Sequence, residues 1–404
     1  MSSSAHALAR YAHAPLLLLI TACLMMQPLS TDLYLASLPS LATGFGVPAS
    51  TVQLTLSLFV IGFGGAQLII GPLSDRYGRR PVLLVGLALY VAASALCGLS
   101  PSIEVLIAAR FLQALGCCSA VIVARAIVRD AYAPQDSAGV IAKAATWLSL
   151  APLLGPILGA YLQVSFGWRA AFGALTLLSA ALLCLAYLRL PETNVHKNPH
   201  ATALSGLLAN YRIVLGAREF WAYALPGALS FGAIFAFISG SSLILIRVLA
   251  VPTAWFGVCF ALGVSGYLIG TLICRRLLLT LGMQGTLRVG SGVSLVAGGL
   301  FLGAVMAGFA HWSLVVAAMF LTMGAHGINF PVAQSGSVSP FHQQAGTAAG
   351  LMGALYMGVA LIVGTLVGAT YNGSLYPLAL VSCLLGLLIF SAVRLNTPSP
   401  VTRP

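Results

Sequence analysis

Carboxylates are almost missing from this chain. Seven acids, Asp32, Asp75, Glu104, Asp130, Asp136, Glu192 and Glu219, serve 404 residues, and none follows Glu219. Charged residues of either sign make up 6% of the sequence, against about 25% in an ordinary soluble domain. So few charges cannot cover a water-exposed surface of this size, which excludes a soluble enzyme, a disordered chain and a collagen-like chain. Strict polar–apolar alternation is also lacking, which argues against a β-barrel. The eight cysteines (23, 97, 117, 118, 184, 259, 274 and 383) lack metal-ligand spacing. They lie in or beside apolar runs and read as small hydrophobes, so no metal is expected. No G-x-x-x-x-G-K-[ST] run offers an ATP site. No H-x-x-x-D or H-E-x-x-H run gathers catalytic groups, which disfavours a membrane enzyme.

What is present is continuous apolar sequence, 59% of the chain. A helical crossing needs about 20 apolar residues, and Pro, Gly and charge punctuation divides the runs into twelve. They cover 14–38, 51–73, 81–99, 104–127, 138–163, 170–190, 220–246, 254–274, 286–309, 312–336, 345–370 and 375–394. The expected fold is all-α and membrane-embedded, with two six-helix halves. Residues 1–190 form the first bundle, 191–219 a linker and 220–404 the second bundle. Leu204 to Arg218 carries apolar residues at helical spacing and reads as an interfacial helix. Gly71 and Arg76 recur as Gly270 and Arg275, an offset of 199, as a duplicated unit predicts. The acid does not recur, since Cys274 stands opposite Asp75.

With the N-terminus inside, 16 of the 19 Lys and Arg residues fall in inner segments, and only Arg110, Arg169 and Arg247 do not. The net charge of +12 is therefore a topology signal. It predicts both termini in the cytoplasm and no nucleic-acid partner. Leu19-Ile20-Thr21-Ala22-Cys23 imitates a lipoprotein cleavage site, but the apolar run continues past it, so an uncleaved first helix is expected.

The loop after the second span reads Gly71-Pro72-Leu73-Ser74-Asp75-Arg76-Tyr77-Gly78-Arg79-Arg80-Pro81. Its glycines permit a tight turn and close backbone approach. Asp75 can accept from a helix N-terminus, and the arginines can pair with Asp130. Such a cluster would latch one conformation. The ordered G-x-x-x-D-R-x-G-R-R pattern resembles the signature loop of the major facilitator superfamily. Three stretches narrow the resemblance. They are Thr31-Asp32-Leu33-Tyr34-Leu35 with Leu38-Pro39, then Arg110-Phe111-Leu112-Gln113-Ala114-Leu115-Gly116 with Val128-Arg129-Asp130, and Ala151-Pro152-Leu153-Leu154-Gly155-Pro156-Ile157-Leu158-Gly159. Together they look like the Bcr/CflA branch of drug:proton antiporters, which includes bicyclomycin and chloramphenicol exporters. The match runs from about residue 14 to 395. Ser339-Pro340-Phe341-His342-Gln343-Gln344 departs from it by lacking an acid.

A carboxylate inside a span marks a functional site by default, and Asp32 is the only acid clearly within one. Asp32 and Arg110 lie at similar depths, so a pair is expected. A guanidinium that approached or withdrew would make Asp32 release or take a proton. The resemblance likewise implicates an acid in span one and an arginine in span four. His326 is a second titratable candidate, with packing as its alternative role. Gly155, Pro156 and Gly159 allow a bend and close approach in span five. Gly263, Gly266 and Gly270 form a matching stripe in span eight, read as an interface between halves. Substrate-lining candidates are Gln27, Thr31, Tyr34, Gln113, Phe231, Phe235, Asn329 and Tyr356.

The expected function is a proton-coupled exporter of small lipophilic drugs in the inner membrane, monomeric, lipid-embedded and without a cofactor beyond the proton. The alternative cargo is a small neutral metabolite such as a nucleoside, sugar or amino acid.

Overall fold

Inside a bilayer no water answers backbone N–H and C=O groups, so long apolar segments must close their hydrogen bonds within themselves. The computed structural model describes residues 13–131, 150–194, 197–199, 201–341 and 343–395. Its described elements are helical throughout. The first span is α1 (His13–Asp32), a 3₁₀ turn (Leu35–Ser37) and α2 (Leu38–Phe45). Then follow α3 (Ala49–Tyr77), α4 (Arg79–Leu99), α5 (Ile103–Ala131), α6 (Ala151–Phe166) and α7 (Arg169–Arg189). The linker forms α8 (Leu204–Gly216). The second half comprises α9 (Arg218–Ser242) with a π-helical end (Leu243–Val248), α10 (Thr253–Met306), α11 (Trp312–Val338), α12 (Ala345–Thr370) and α13 (Tyr376–Leu395).

Ten described helices are long and apolar enough to cross a membrane. One of them, α10, has 54 residues. As a straight rod it would reach about 80 Å, far beyond a hydrocarbon core of about 30 Å. It instead folds back at Gly282, where φ is 64° and ψ is −174°. That left-handed φ suits a residue with no Cβ. The expected loop between spans eight and nine is thus this single turn. With that second crossing and α6, the described helices make a twelve-helix all-α bundle pair. The start of span five, 138–149, lies outside the described residues.

Helices α1 and α3 to α7 pack on one another, as do α9 to α13. Between the halves, α3 packs on α12 and α6 on α10. Two expectations change here. Span one is not one regular helix. It breaks after Asp32 and runs on to Phe45, which sets Tyr34 beyond the regular helix that carries Gln27 and Thr31. The stripe Gly263, Gly266 and Gly270 does not meet the other half. A Cβ at Gly263 would strike Met319, and at Gly266 and Gly270 the backbone oxygens of Phe320 and Gly324. The stripe therefore clamps α10 to α11. A residue of α10 that does face the first half is Gly257, where a Cβ would come within 2.5 Å of Pro156 O and of Ile157 Cα.

Gly270→Leu is expected to pry α10 from α11 and cost about 1–3 kcal/mol, the usual range for overpacking. Gly299→Leu, where a Cβ meets open space, should be close to neutral. Thermal unfolding of the two purified variants checks the difference.

Candidate functional site

Arg110 is fully buried within the first half. Its Nη1 donates to Ser30 O at 3.0 Å and to Gln113 Oε1, and its Nε donates to Thr55 O at 3.3 Å. The guanidinium carbon lies 4.4 Å from the Tyr34 ring centre and 4.3 Å from that of Phe59. Aromatic faces attract a desolvated cation, so the charge is held by rings and carbonyls. Gln113 passes the network on to Ser94 Oγ at 2.7 Å. Ser30 Oγ stands 2.6 Å from Tyr90 Oη, and Tyr34 Oη 3.1 Å from Thr55 Oγ1. Nη2 has no hydrogen-bond partner among the described residues.

Asp32 is only 4% exposed, yet it does not pair with Arg110. Its Oδ1 accepts from Thr31 Oγ1 at 2.9 Å. The expected depth match holds, since Arg110 reaches Ser30 on the same stretch of chain. No ion pair forms because α1 ends at Asp32 and the guanidinium turns Nε and Nη1 to carbonyls and Gln113 instead. What covers Asp32 is α6. A Cβ at Gly155 would come within 3.0 Å of Asp32 Cβ, and one at Gly159 would strike Leu33 O. The Gly155-Pro156 stretch therefore touches Asp32 on one side and, through Pro156 and Ile157, Gly257 of the other half.

Of the substrate candidates, Tyr34 and Gln113 are sealed into the Arg110 network. Asn329 is equally sealed, its Nδ2 donating to Ser294 Oγ at 3.1 Å, and it packs α11 on the second limb of α10. Phe235 is buried against Gly364. These four are structural in this conformer. Thr31 is spent on Asp32, while Gln27, Phe231 and Tyr356 keep open surface. Phe231 and Tyr356 belong to an aromatic cluster with His326, Phe330 and Tyr267. The rings of Phe231 and Tyr356 are 4.8 Å apart, and His326 lies 4.8 Å from Phe330 and 5.8 Å from Tyr267. The sequence reading missed Phe330 and Tyr267. The i, i+4 spacing of His326 and Phe330 was the available signal.

The expected charge cluster forms, with altered partners. Arg79 bridges Asp75 at 2.5 Å and Asp130 at 2.8 Å, and also donates to Ser74 Oγ at 2.7 Å. Arg76 turns away to Thr202, and Arg80 donates to Tyr187 O at 3.0 Å. Gly71 stands in open space, so no close approach explains it. Gly78, with φ 109°, does make the turn. The acid that caps a helix N-terminus is Glu192, not Asp75. Glu192 accepts from Arg79 N at 2.8 Å and Arg80 N at 3.2 Å, at the start of α4. Asn194 Nδ2 donates to Asp75 O at 3.1 Å. The start of the linker thus straps the latch. Its helix α8 then packs on the second half, with Val214 beside Phe220, Phe341 and Met352.

At the opposite end two bonds join the halves. Gln53 Nε2 donates to Ser239 O, and Arg247 Nη2 donates to Pro39 O at 2.5 Å. Leu243 N bonds Gly240 O as the chain enters the π-helical segment, rather than Ser239 O four residues back. Gln53 and Gln67, two amides inside the apolar run of α3, were not singled out from the sequence. Both face α12, since a Cβ at Gly368 would meet Gln53 and one at Gly353 would strike Gln67.

The model of the family described as Major Facilitator Superfamily matches residues 20–365. This chain belongs to the major facilitator superfamily. It is 32% identical to the chloramphenicol resistance protein of Pseudomonas aeruginosa, over 95% of this chain and 92% of that relative. It is 26% identical to a bicyclomycin resistance protein homolog of Haemophilus influenzae, over 88% and 89% of the two chains. Multidrug resistance protein D of Escherichia coli is 29% identical, over 94% and 95%. Among solved structures, an inward-facing bacterial homologue of the lysosomal transporter Spinster superposes with a TM-score of 0.72 at 14% identity, over 96% of this chain and 99% of that one. A nucleoside transporter gives 0.73 at 14% identity, over 95% and 100%. Both show the shared fold.

Arg110→Ala is expected to cost at least about 2 kcal/mol, because Gln113 and two buried carbonyls lose a charged donor. Arg247→Ala, at a half-buried contact that water can replace, should cost less. Thermal melts of the two variants decide it, and equal losses would argue against the Arg110 network as a structural core.

Proposed function

We propose that this protein is a proton-coupled exporter of small, moderately lipophilic drugs in the bacterial inner membrane, working by alternating access. The names of its relatives support the cargo class. One contact carries the coupling. Gly155 rests on Asp32 while its neighbours Pro156 and Ile157 rest on Gly257 of the other half. Rocking of the halves moves α6, and α6 is the cover on Asp32. Proton exchange at Asp32 is thereby tied to which side of the molecule is open. Arg110 acts as the fixed scaffold that holds the end of α1 and the Tyr34 ring in place, not as the exchanging partner in this conformer.

The positive-inside pattern puts the latch and both termini in the cytoplasm. The halves are then joined at the outer end by Gln53 and Arg247. The latch of Arg79, Asp75, Asp130 and Glu192 holds the first bundle, 1–190, to the linker, 191–219. The second bundle, 220–404, moves against it. The working unit is a monomer in lipid, the proton is the coupling ion, and the cargo leaves chemically unchanged.

Asp32→Asn keeps the shape and the Thr31 contact but cannot titrate. Reconstituted in vesicles with an imposed pH gradient, the variant is expected to lose at least about tenfold in drug-efflux rate and to insert and melt like the parent. Full gradient-driven efflux by the variant would sink the coupling reading. A susceptibility panel on cells expressing the chain tests the cargo. Resistance to no drug, with the protein inserted, would turn the reading toward a small neutral metabolite.

A further inference from the structure

We propose that the aromatic cage around His326 binds an uncharged molecule that carries an aryl ring and a hydrogen-bonding substituent. The proposal rests on the exporter reading and names the substrate class of that transporter. Its first ground is an unspent polar atom. His326 is only 4% exposed, and its Nδ1 is 3.0 Å from Ser230 Oγ. No partner among the described residues reaches the other ring nitrogen, Nε2. Nε2 is also absent from the sealed polar atoms that go unbonded, so it keeps open surface. A buried imidazole fixed at one nitrogen and open at the other is poised to bond a ligand.

The second ground is the wall around it. His326 stacks between Phe330, at 4.8 Å and 31°, and Tyr267, at 5.8 Å and 32°. Phe231 and Tyr356 lie beside them, with Phe231 6.0 Å from His326 and Tyr356 5.7 Å from Phe330. Phe231, Tyr267, Phe330 and Tyr356 are all only partly buried, so ring surface remains for a further ring. Buried aromatic residues whose neighbours are complete, such as Phe301 against Phe237, have no such surface. Offset or edge contacts with a ligand ring would complete the cage.

Charge decides the class. Aromatic faces also attract cations, but no acid exists beyond Glu219 to answer one in this half. The charge that acts on Tyr356 is a positive one, Arg125. Asp32 sits in the other half beneath Gly155 and Thr31. An anion gains little either, because Arg125 is exposed and its charge is answered by water, while Arg110 is enclosed by Tyr34 and Phe59. An uncharged aryl compound meets neither cost.

The test is equilibrium binding to the purified full-length protein, with chloramphenicol as the uncharged aryl probe and tetraphenylphosphonium as the aryl cation. Chloramphenicol should bind more tightly than the cation. Phe231→Ala and His326→Leu should each weaken it by about tenfold. His326→Gln, which keeps a hydrogen-bonding group, should return it to within about twofold of the parent. Phe301→Leu should leave binding unchanged and controls for packing. Variants that melt like the parent and still bind chloramphenicol normally overturn the proposal. So does tighter binding of the cation, or binding of neither probe. Cage-dependent binding by a protein that exports no drug would refute the exporter reading and keep the cage. Drug export untouched by the cage variants would refute the cage alone.

Discussion

A guanidinium cannot be left bare in a membrane, and Arg110 organises the first half around that constraint. Removing an ion from water costs several kcal/mol unless it is surrounded by compensating groups. Here the answer comes from four helices. α1 gives the Ser30 carbonyl, α3 the Thr55 carbonyl and the Phe59 ring, α4 the Ser94 hydroxyl behind Gln113, and α5 the arginine itself. Tyr34 completes the enclosure just past the break in α1. No single contact is an ion pair. The consequence is geometric: once Arg110 is enclosed, the register of these helices is set, and Asp32 is left at the end of α1 with no ion-pair partner among the described residues. The proposed coupling then runs through something that moves relative to α1, and a neighbour whose backbone approaches Asp32 is α6.

The sequence was most legible where one physical rule acted alone. Twelve apolar runs, the scarcity of charge and the latch motif each follow from the cost of placing polar groups in hydrocarbon, and the helices appear close to where those runs lie. It was least legible where two partners were equally good on paper. Asp32 and Arg110 match in depth and in charge, yet carbonyl oxygens and rings took the guanidinium. Gly266 and Gly270 look like an interface between halves, yet the same smallness serves α11 next door. Spacing records which face a residue occupies, not which helix lies opposite. Glu192 shows a different limit. A carboxylate in a polar linker reads as solvated, and only the return of the linker to the start of α4 reveals it as a cap.

The two halves have diverged around a common frame. The first holds the buried charge, the intramembrane acid and the latch. The second carries no acid after Glu219 and fills the corresponding depth with Phe231, Tyr267, His326, Phe330 and Tyr356. This division separates the two tasks of an antiporter. A proton needs a titratable group whose cover changes as the molecule rocks. A lipophilic cargo needs apolar contact and a few fixed polar atoms. On the proposed roles of Asp32 and the aromatic cage, the tasks lie in different bundles, and ligand surface can vary without disturbing Asp32.

The bonds that join the halves are of a kind suited to being broken. Gln53 and Arg247 both donate to backbone carbonyls, Ser239 O and Pro39 O, rather than to carboxylates. A carbonyl bond lost to water is replaced at small net cost, because water accepts and donates equally well. A buried carboxylate–arginine pair split open would cost far more. One of these carbonyls, Ser239 O, lies beside the π-helical end of α9, where Leu243 N turns to Gly240 O instead. The Arg110 enclosure is the opposite case, since no water reaches it. The molecule therefore has stiff bundles and an exchangeable seam, and that difference in replaceability, rather than any single strong contact, lets two rigid halves move past each other.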